Sequence, residues 1–186
     1  MKNLILVLSI SIFTSSFVFS QEKYFTKTGV IVFESDAPLE EIKAVNRRVV
    51  SIFDASTGQM EFSLLIRSFE FKKALMQEHF NEEYMESDKF PKSEFKGKIK
   101  NIDEIDFNKD GEYPVNVVGK LTMHGETNEV ETEGVFTVKN GKISATAKFS
   151  VLVDDYKIKI PSLMAKNIAE EIEITITIPK YELLKK

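Results

Sequence analysis

The sequence predicts a mainly β protein, an antiparallel barrel of eight strands with one amphipathic helix that closes an end. Long stretches of the chain alternate apolar and polar side chains with the period of two that half-buried strands require. The predicted strands are long and joined mostly by tight turns, and closing such a sheet removes its exposed edges. Only the stretch at about residues 72–86 has the spacing of a credible amphipathic helix.

Short polar turns separate the predicted strands. Asn140-Gly141 is the strongest hairpin signal, because this pair favours a two-residue type I′ turn. Residues 39–44 are predicted as a weak helical turn. The eight strand segments are residues 29–33, 46–53, 60–66, 92–107, 113–123, 130–138, 143–153 and 168–179.

The helical stretch places Met76, Phe80 and Tyr84 at positions i, i+4 and i+8, so these three large side chains share one face. Pro91 forces the residue before it out of helical geometry, which ends the pattern. An amphipathic helix packed onto strands must cover an apolar surface. The helix is therefore predicted to close one end of the barrel.

The interior of an eight-stranded barrel is either filled by side chains or holds one small ligand. Small inward residues favour a ligand, and they occur at Gly119, Gly134, Ala145 and Ala147. A purely structural barrel with a filled core is the alternative. The predicted lining consists of Phe62, Leu64, Phe95, Val117, Leu121, Phe136, Ala147, Phe149, Ile174 and Ile176.

Two pairs of residues complete the predicted binding site. Phe80 and Tyr84 are expected to cap the tube from the helix. His79 and His124, the only two histidines, are the candidates for contact with a polar head group.

Catalytic patterns are mostly absent from the sequence: it contains no GxSxG elbow, no P-loop and no GxGxxG stretch. Neither histidine stands in an HxH or HExxH spacing, so metal binding is not predicted. We expect no cofactor and no catalysis. The rival hypothesis is an enzyme acting on a lipidic substrate, with His79 or His124 as general base.

The N-terminus has the layout of a secretory signal peptide. Lys2 is the only charge in residues 1–20, and it precedes an apolar run. Cleavage after Ser20 would leave a single domain at residues 21–186; an uncleaved anchor is the alternative. The 24 basic and 29 acidic residues that remain give a net charge of −5, which argues against a nucleic-acid partner. The chain has no cysteine, so disulfides are excluded.

Three stretches resemble the YceI-like family of exported lipid-binding proteins. They are HFNEEYMESDKFPKSEFKG at residues 79–97, GKLTMHGETNEVE at 119–131 and IPSLMAKNIAEEIEITITI at 160–178. The resemblance implies an extended, lipocalin-like barrel that encloses a long amphiphile such as a polyisoprenoid or an isoprenoid quinone.

The residues and the resemblance together predict a periplasmic or secreted protein that carries or sequesters a hydrophobic isoprenoid or other lipid. No nucleic acid and no stable membrane span after processing are expected, and a homodimer is left open.

Overall fold

The computed structural model describes residues 22–184, so the predicted signal peptide at residues 1–20 lies outside the described residues. One α-helix, α1 (Ala74–His79), runs directly into a π-helical turn (Phe80–Tyr84). The strands within the described range are β1 (Lys23–Asp36), β2 (Glu41–Asp54), β3 (Gln59–Leu65), β4 (Phe69–Phe71), β5 (Lys92–Ile99), β6 (Gly111–Met123), β7 (Glu126–Lys139), β8 (Lys142–Leu152) and β9 (Glu171–Leu183).

Eight of these strands form the predicted closed antiparallel barrel. Around the barrel the order is β1-β9-β8-β7-β6-β5-β3-β2, and pairing of β2 with β1 closes the ring. The ninth, β4, follows β3 after a 3₁₀ turn at Ile66–Ser68 and pairs with the part of β2 that β3 does not cover. The predicted fold class is therefore confirmed, with one short extra strand.

The predicted helical turn at residues 39–44 is wrong, because β2 already begins at Glu41. Ala44 is fully buried there, paired with Phe33 of β1 on one side and with Phe71 of β4 on the other. Two flanking strands impose an extended backbone on a segment whose local helical pattern is weak.

The strand predicted at residues 92–107 is too long, because β5 ends at Ile99. A 3₁₀ turn at Ile102–Glu104 follows. Phe107 then turns back over the end of the barrel and packs on Phe53, with ring centroids 5.7 Å apart.

Two hairpins have the two-residue turns that set the register of the long strands. Asn140 and Gly141 have φ values of +52° and +68°, as a type I′ turn requires, which confirms the prediction for this pair. His124 and Gly125 form an equivalent turn between β6 and β7, with φ values of +52° and +80°.

The interior divides into two clusters of side chains. At one end Phe53, Phe136 and Tyr181 pack tightly together, and their ring centroids lie 4.7–6.0 Å apart. The other cluster surrounds an open volume beneath α1. The barrel thus has a packed end and a hollow end.

Candidate ligand-binding cavity

A cavity of about 470 Å³ occupies the hollow end of the barrel. Its wall is built from the inward faces of the strands, where alternate side chains point to the same side of the sheet. Thirteen of the fourteen predicted site residues line it: Phe62, Leu64, His79, Phe80, Tyr84, Phe95, Val117, Leu121, Phe136, Ala147, Phe149, Ile174 and Ile176.

Small residues on neighbouring strands create this volume. Gly134 of β7 pairs with Ala147 of β8, and a Cβ at Gly134 would lie 3.3 Å from the Ala147 Cβ. Phe149 and Ile176 face inward but are only half-buried, because no side chain fills the space in front of them. The cavity exceeds the roughly 300 Å³ at which ligand pockets begin, so the alternative of a completely filled barrel does not fit.

A pair of glycines positions an aromatic side chain in the wall. Gly97 of β5 and Gly119 of β6 are cross-strand partners, and the Phe95 ring lies over both. A Cβ at Gly119 would come within 2.6 Å of the Phe95 Cζ. The absence of two side chains thus allows Phe95 to lie along the wall, where its ring meets Phe62 edge-on at 6.2 Å.

The helical segment covers the cavity through Phe80, as its periodicity predicted. Phe80 stacks on Phe33 at 5.3 Å and contacts Phe71 at 4.9 Å and Phe69 at 5.7 Å between ring centroids. The three partner phenylalanines also line the cavity and were missed from the sequence. Phe33 lay in the predicted strand at residues 29–33 but was not assigned to the lining, and the only signal for the other two was the Phe69-Glu70-Phe71 alternation, which is too short to identify a strand.

The π-helical turn adds one more inward side chain to this cover. The Met85 amide donates to the Phe80 carbonyl oxygen at 2.9 Å, five residues back. Met85 is buried and lines the cavity. A regular α-helix continuing past Phe80 would not have turned this residue inward, so its position follows from the π-helical turn.

The cavity reaches the surface at a mouth near α1. Among its described lining residues, the acidic and basic side chains are Glu40, Lys73 and His79, all at this mouth. Lys73 Nζ lies 2.8 Å from Glu40 Oε1, and this hydrogen bond lowers the pKa of the Glu40 carboxyl. Charge is therefore confined to the mouth.

Three hydroxyl groups in the wall form hydrogen bonds with the backbone. Ser93 donates to the Thr122 carbonyl at 3.2 Å, and Thr132 donates to the Lys148 carbonyl at 3.2 Å. Ser35 accepts a hydrogen bond from the Ala169 amide at 2.8 Å. Since these groups already have partners, the deep cavity presents an almost wholly apolar surface to a ligand.

His124 is the predicted site residue that the structure does not bring to the cavity. Its Nδ1 lies 2.8 Å from the Tyr156 carbonyl oxygen, and its Nε2 lies 3.1 Å from Glu86 Oε2. Both partners are acceptors, so both bonds form together only when both ring nitrogens carry hydrogen. The turn between β6 and β7 directs this side chain toward the segment after the helix instead of the lumen.

His79, by contrast, lies at the mouth and lines the cavity.

Within residues 22–184 no group of three or more histidine, cysteine or acidic side chains is arranged to hold a metal ion. In the same range, no helix has both the length and the apolar character needed to cross a bilayer.

A closed antiparallel barrel that encloses an apolar cavity is the architecture of ligand-binding barrels. The particular family is the YceI-like domain family, to which this chain belongs, since the family model matches residues 14–179.

Solved structures share this fold at low sequence identity. A polyisoprenoid-binding domain from Saccharophagus degradans, implicated in plant cell wall breakdown, superposes with a TM-score of 0.75 at 11% identity; the match covers 89% of this chain and 100% of that one. BcnA from Burkholderia cenocepacia gives 0.67 at 13% identity, covering 83% of this chain and 96% of that one. The Campylobacter jejuni YCEI protein gives 0.54 at 14% identity, with both chains fully covered. No curated protein sequence matches this chain.

Proposed function

We propose that this protein is an exported carrier or sequestering protein for one long amphiphile of the polyisoprenoid or isoprenoid quinone class. The observation that carries the proposal is the cavity of about 470 Å³, apolar along its depth and charged only at its mouth. The Saccharophagus degradans neighbour, a polyisoprenoid-binding domain of the same fold, supports this ligand class.

The distribution of charge sets the orientation of the ligand. The apolar tail lies in the barrel, against side chains such as Phe95, Phe149 and Ile176, and the polar head stays at the mouth beside Lys73 and His79. Burial at about 25 cal/mol per Å² makes a few hundred Å² of tail sufficient for tight binding after the entropic cost of association. Binding in this form needs no chemical step.

Narrowing the cavity without adding charge tests the proposal. Ala147→Phe places a ring in the open volume beside Gly134, so overpacking strain should be small and the melting temperature close to wild type. The lipid that co-purifies with wild type should be lost from the variant. Ser150→Phe is the matched control, because it adds the same ring to the exposed outer face of the same strand.

The measurement is organic extraction of the purified protein followed by mass spectrometry of what is released. A His79→Ala variant should retain the lipid, since burial of the tail dominates the affinity. Wild type that carries no apolar ligand and acquires none from added polyisoprenoid would contradict the proposal. If lipid extracted from the wild-type protein is chemically altered and lipid from His79→Ala is not, the rival hypothesis of an enzyme acting on a lipidic substrate would be favoured instead.

Export is the second part of the proposal and rests on the layout of residues 1–20. Protein isolated from the native cell should begin at Gln21, which N-terminal mass analysis detects directly. Recovery of most of the protein with Met1 intact would contradict export by cleavage.

A further inference from the structure

Three large apolar side chains stand exposed around the mouth of the cavity. Leu39 is 68% exposed, Leu75 is 61% exposed and Leu163 is 92% exposed. They come from three separate connections. The parts of these connections that we term the rim are residues 37–40 between β1 and β2, residues 72–79 from the end of β4 to the end of α1, and residues 157–170, the last part of the connection from β8 to β9.

Polar ties hold the three connections of the rim together. Lys73 Nζ lies 2.8 Å from Glu40 Oε1, which joins the second connection to the first. The Leu39 amide donates to the Lys166 carbonyl at 3.0 Å, which joins the first to the third. Since Leu75 and Met164 also line the cavity, the exposed apolar surface is continuous with its interior.

Exposed lysines accompany the leucines of the rim. Within the ranges given it holds five lysines and three acids, and two further exposed acids, Asp154 and Asp155, precede Lys157 in the third connection. The lysines are Lys72, Lys73, Lys157, Lys159 and Lys166, and all five are exposed. Lys72, Lys159 and Lys166 make no ion pair within the described part of the chain.

We infer that the rim docks on the surface of an anionic phospholipid bilayer, with its leucines in the apolar layer and its lysines among the head groups. Apolar side chains flanked by lysines are the composition that binds such a surface, through burial of the former and attraction of the latter. The negatively charged remainder of the barrel would be repelled by the same bilayer. The two effects together turn the mouth toward the lipid.

Docking in this orientation places the cavity against the membrane, so a lipid could pass between the two without its tail crossing water. This consequence rests on the proposed function, whereas bilayer docking itself does not. A second copy of the chain is a poorer occupant, because a symmetric contact between two rims would bring like-charged lysines together.

Sedimentation with vesicles tests the inference, using the purified chain with the N-terminus it has in the native cell. Vesicles of phosphatidylcholine alone are compared with vesicles containing roughly a third phosphatidylglycerol, the lipid that supplies negative surface potential. Wild type should bind the anionic vesicles more strongly, and binding should weaken as salt is raised. Failure of wild type to sediment with anionic vesicles at low salt overturns the inference.

Two rim leucines outside the cavity lining provide the first variant. Leu39→Ser combined with Leu163→Ser should reduce partitioning onto anionic vesicles by about tenfold or more. The matched control is Leu183→Ser combined with Leu184→Ser. Both leucines are also exposed on the surface, and they lie at the far end of β9, away from the rim. Equal loss in the two double variants would contradict docking through the rim.

Two rim lysines provide the second variant, with the change in net charge matched in its control. Lys159→Glu combined with Lys166→Glu should abolish the preference for anionic over neutral vesicles. Lys139→Glu combined with Lys142→Glu, in the turn at the packed end, should keep that preference. Reversal of these two results overturns the inference.

Two further measurements on the same samples separate the competing explanations. The inference fails if the wild-type protein forms a dimer and does not bind vesicles, while the leucine variant is monomeric. The occupant of the rim would then be a second copy of the chain. Extracted lipid content reports on the cavity alone, so vesicle binding without any cavity ligand would refute the proposed function and leave the docking surface supported.

Discussion

At the scale of single residues, the wall of the cavity depends on places where a side chain is missing. Gly119 has no room for one, since an added Cβ would lie 2.5 Å from the Gly97 Cα and 2.6 Å from the Phe95 Cζ. Backbone on one side and a packed ring on the other leave little freedom to adjust. Glycine is thus required at position 119, because the backbone of Gly97 and the Phe95 ring approach too closely for any side chain.

Gly119→Ala is accordingly expected to lower the free energy of unfolding by about 2–3 kcal/mol, because either Phe95 or strand β5 must shift. Urea denaturation measures the change. Gly111→Ala is the control, since its nearest neighbours are atoms of the Tyr113 ring at 3.4 Å, an ordinary contact. Unfolding of Gly119→Ala at the wild-type urea concentration would show that the ring does not lie over this glycine.

At the scale of elements, His124 joins the β6–β7 turn to the segment that follows the helical cover. Its ring bonds Glu86 at 3.1 Å and the Tyr156 carbonyl at 2.8 Å, and it meets Phe90 at 4.7 Å between centroids. These contacts connect three segments that are distant in the sequence. We therefore assign His124 a structural role in fixing the cover.

His124→Ala should lower the free energy of unfolding by about 1–3 kcal/mol more than Asn140→Ala does, because loss of the imidazole leaves the buried Tyr156 carbonyl without its partner. Asn140 is the matched control, since both residues have a φ of +52° in a two-residue turn and both variants place alanine there. Chemical denaturation gives the difference, and hydrogen exchange should be faster at residues 80–90. The cavity lipid should be retained, and equal costs in the two variants would show that the tie is not stabilising.

The strands that were predicted well are those whose alternation is long. The inward faces of β6 to β9 follow directly from their period of two, and turns such as Asn140-Gly141 fix their register. That pattern was sufficient to identify Ala147 and Ile176 as cavity-facing residues. The barrel and most of its lining were therefore predictable from local sequence.

The elements that were missed depend on contacts between distant segments. Strand β4 has three residues, and it exists because β2 offers it an unpaired edge. The Phe33, Phe69 and Phe71 cluster around Phe80 follows from that pairing. The mouth likewise depends on the bond from the Ala169 amide to Ser35 Oγ across 134 positions of sequence, which no periodicity reveals.

At the scale of the whole molecule, the two ends of the barrel serve different purposes. The packed end fills the lumen with stacked and edge-on rings, including Tyr24 on Phe53 at 5.1 Å and Phe136 on Tyr181 at 6.0 Å. The hollow end leaves its apolar surface uncovered. Because an open cavity loses packing and transfer energy, the packed end must supply a larger share of the stability.

Tyr181 is one of two tyrosines through which the packed end should respond to high pH. Its hydroxyl shares a buried hydrogen bond of 2.9 Å with Ser51 Oγ, and burial raises its pKa well above the ordinary value. Tyr24, nearer the surface, has its pKa raised to about 12 by burial and by its hydrogen bond to Glu22. Both phenols are neutral in the folded and unfolded chain at pH 7, so their contribution to stability is fully present there.

Stability should fall once the pH passes about 10, because the unfolded tyrosines then lose their protons while the folded ones keep theirs. Tyr181→Phe removes one of these titrations. At pH 7 the variant should be about 1–2 kcal/mol less stable than wild type, since Ser51 loses its buried partner. Between roughly pH 10 and 11.5 that gap should narrow, because wild type loses stability with rising pH faster than the variant does.

Urea unfolding at several pH values measures the gap, and the double variant Tyr181→Phe with Ser51→Ala provides the control. Removing both hydroxyl groups leaves no buried polar atom unpaired, so the double variant should recover part of the loss at pH 7. Its pH dependence should still match that of Tyr181→Phe, since the same phenol is gone. A gap between wild type and Tyr181→Phe that stays constant up to pH 11.5 would mean that Tyr181 does not control the alkaline unfolding of the packed end.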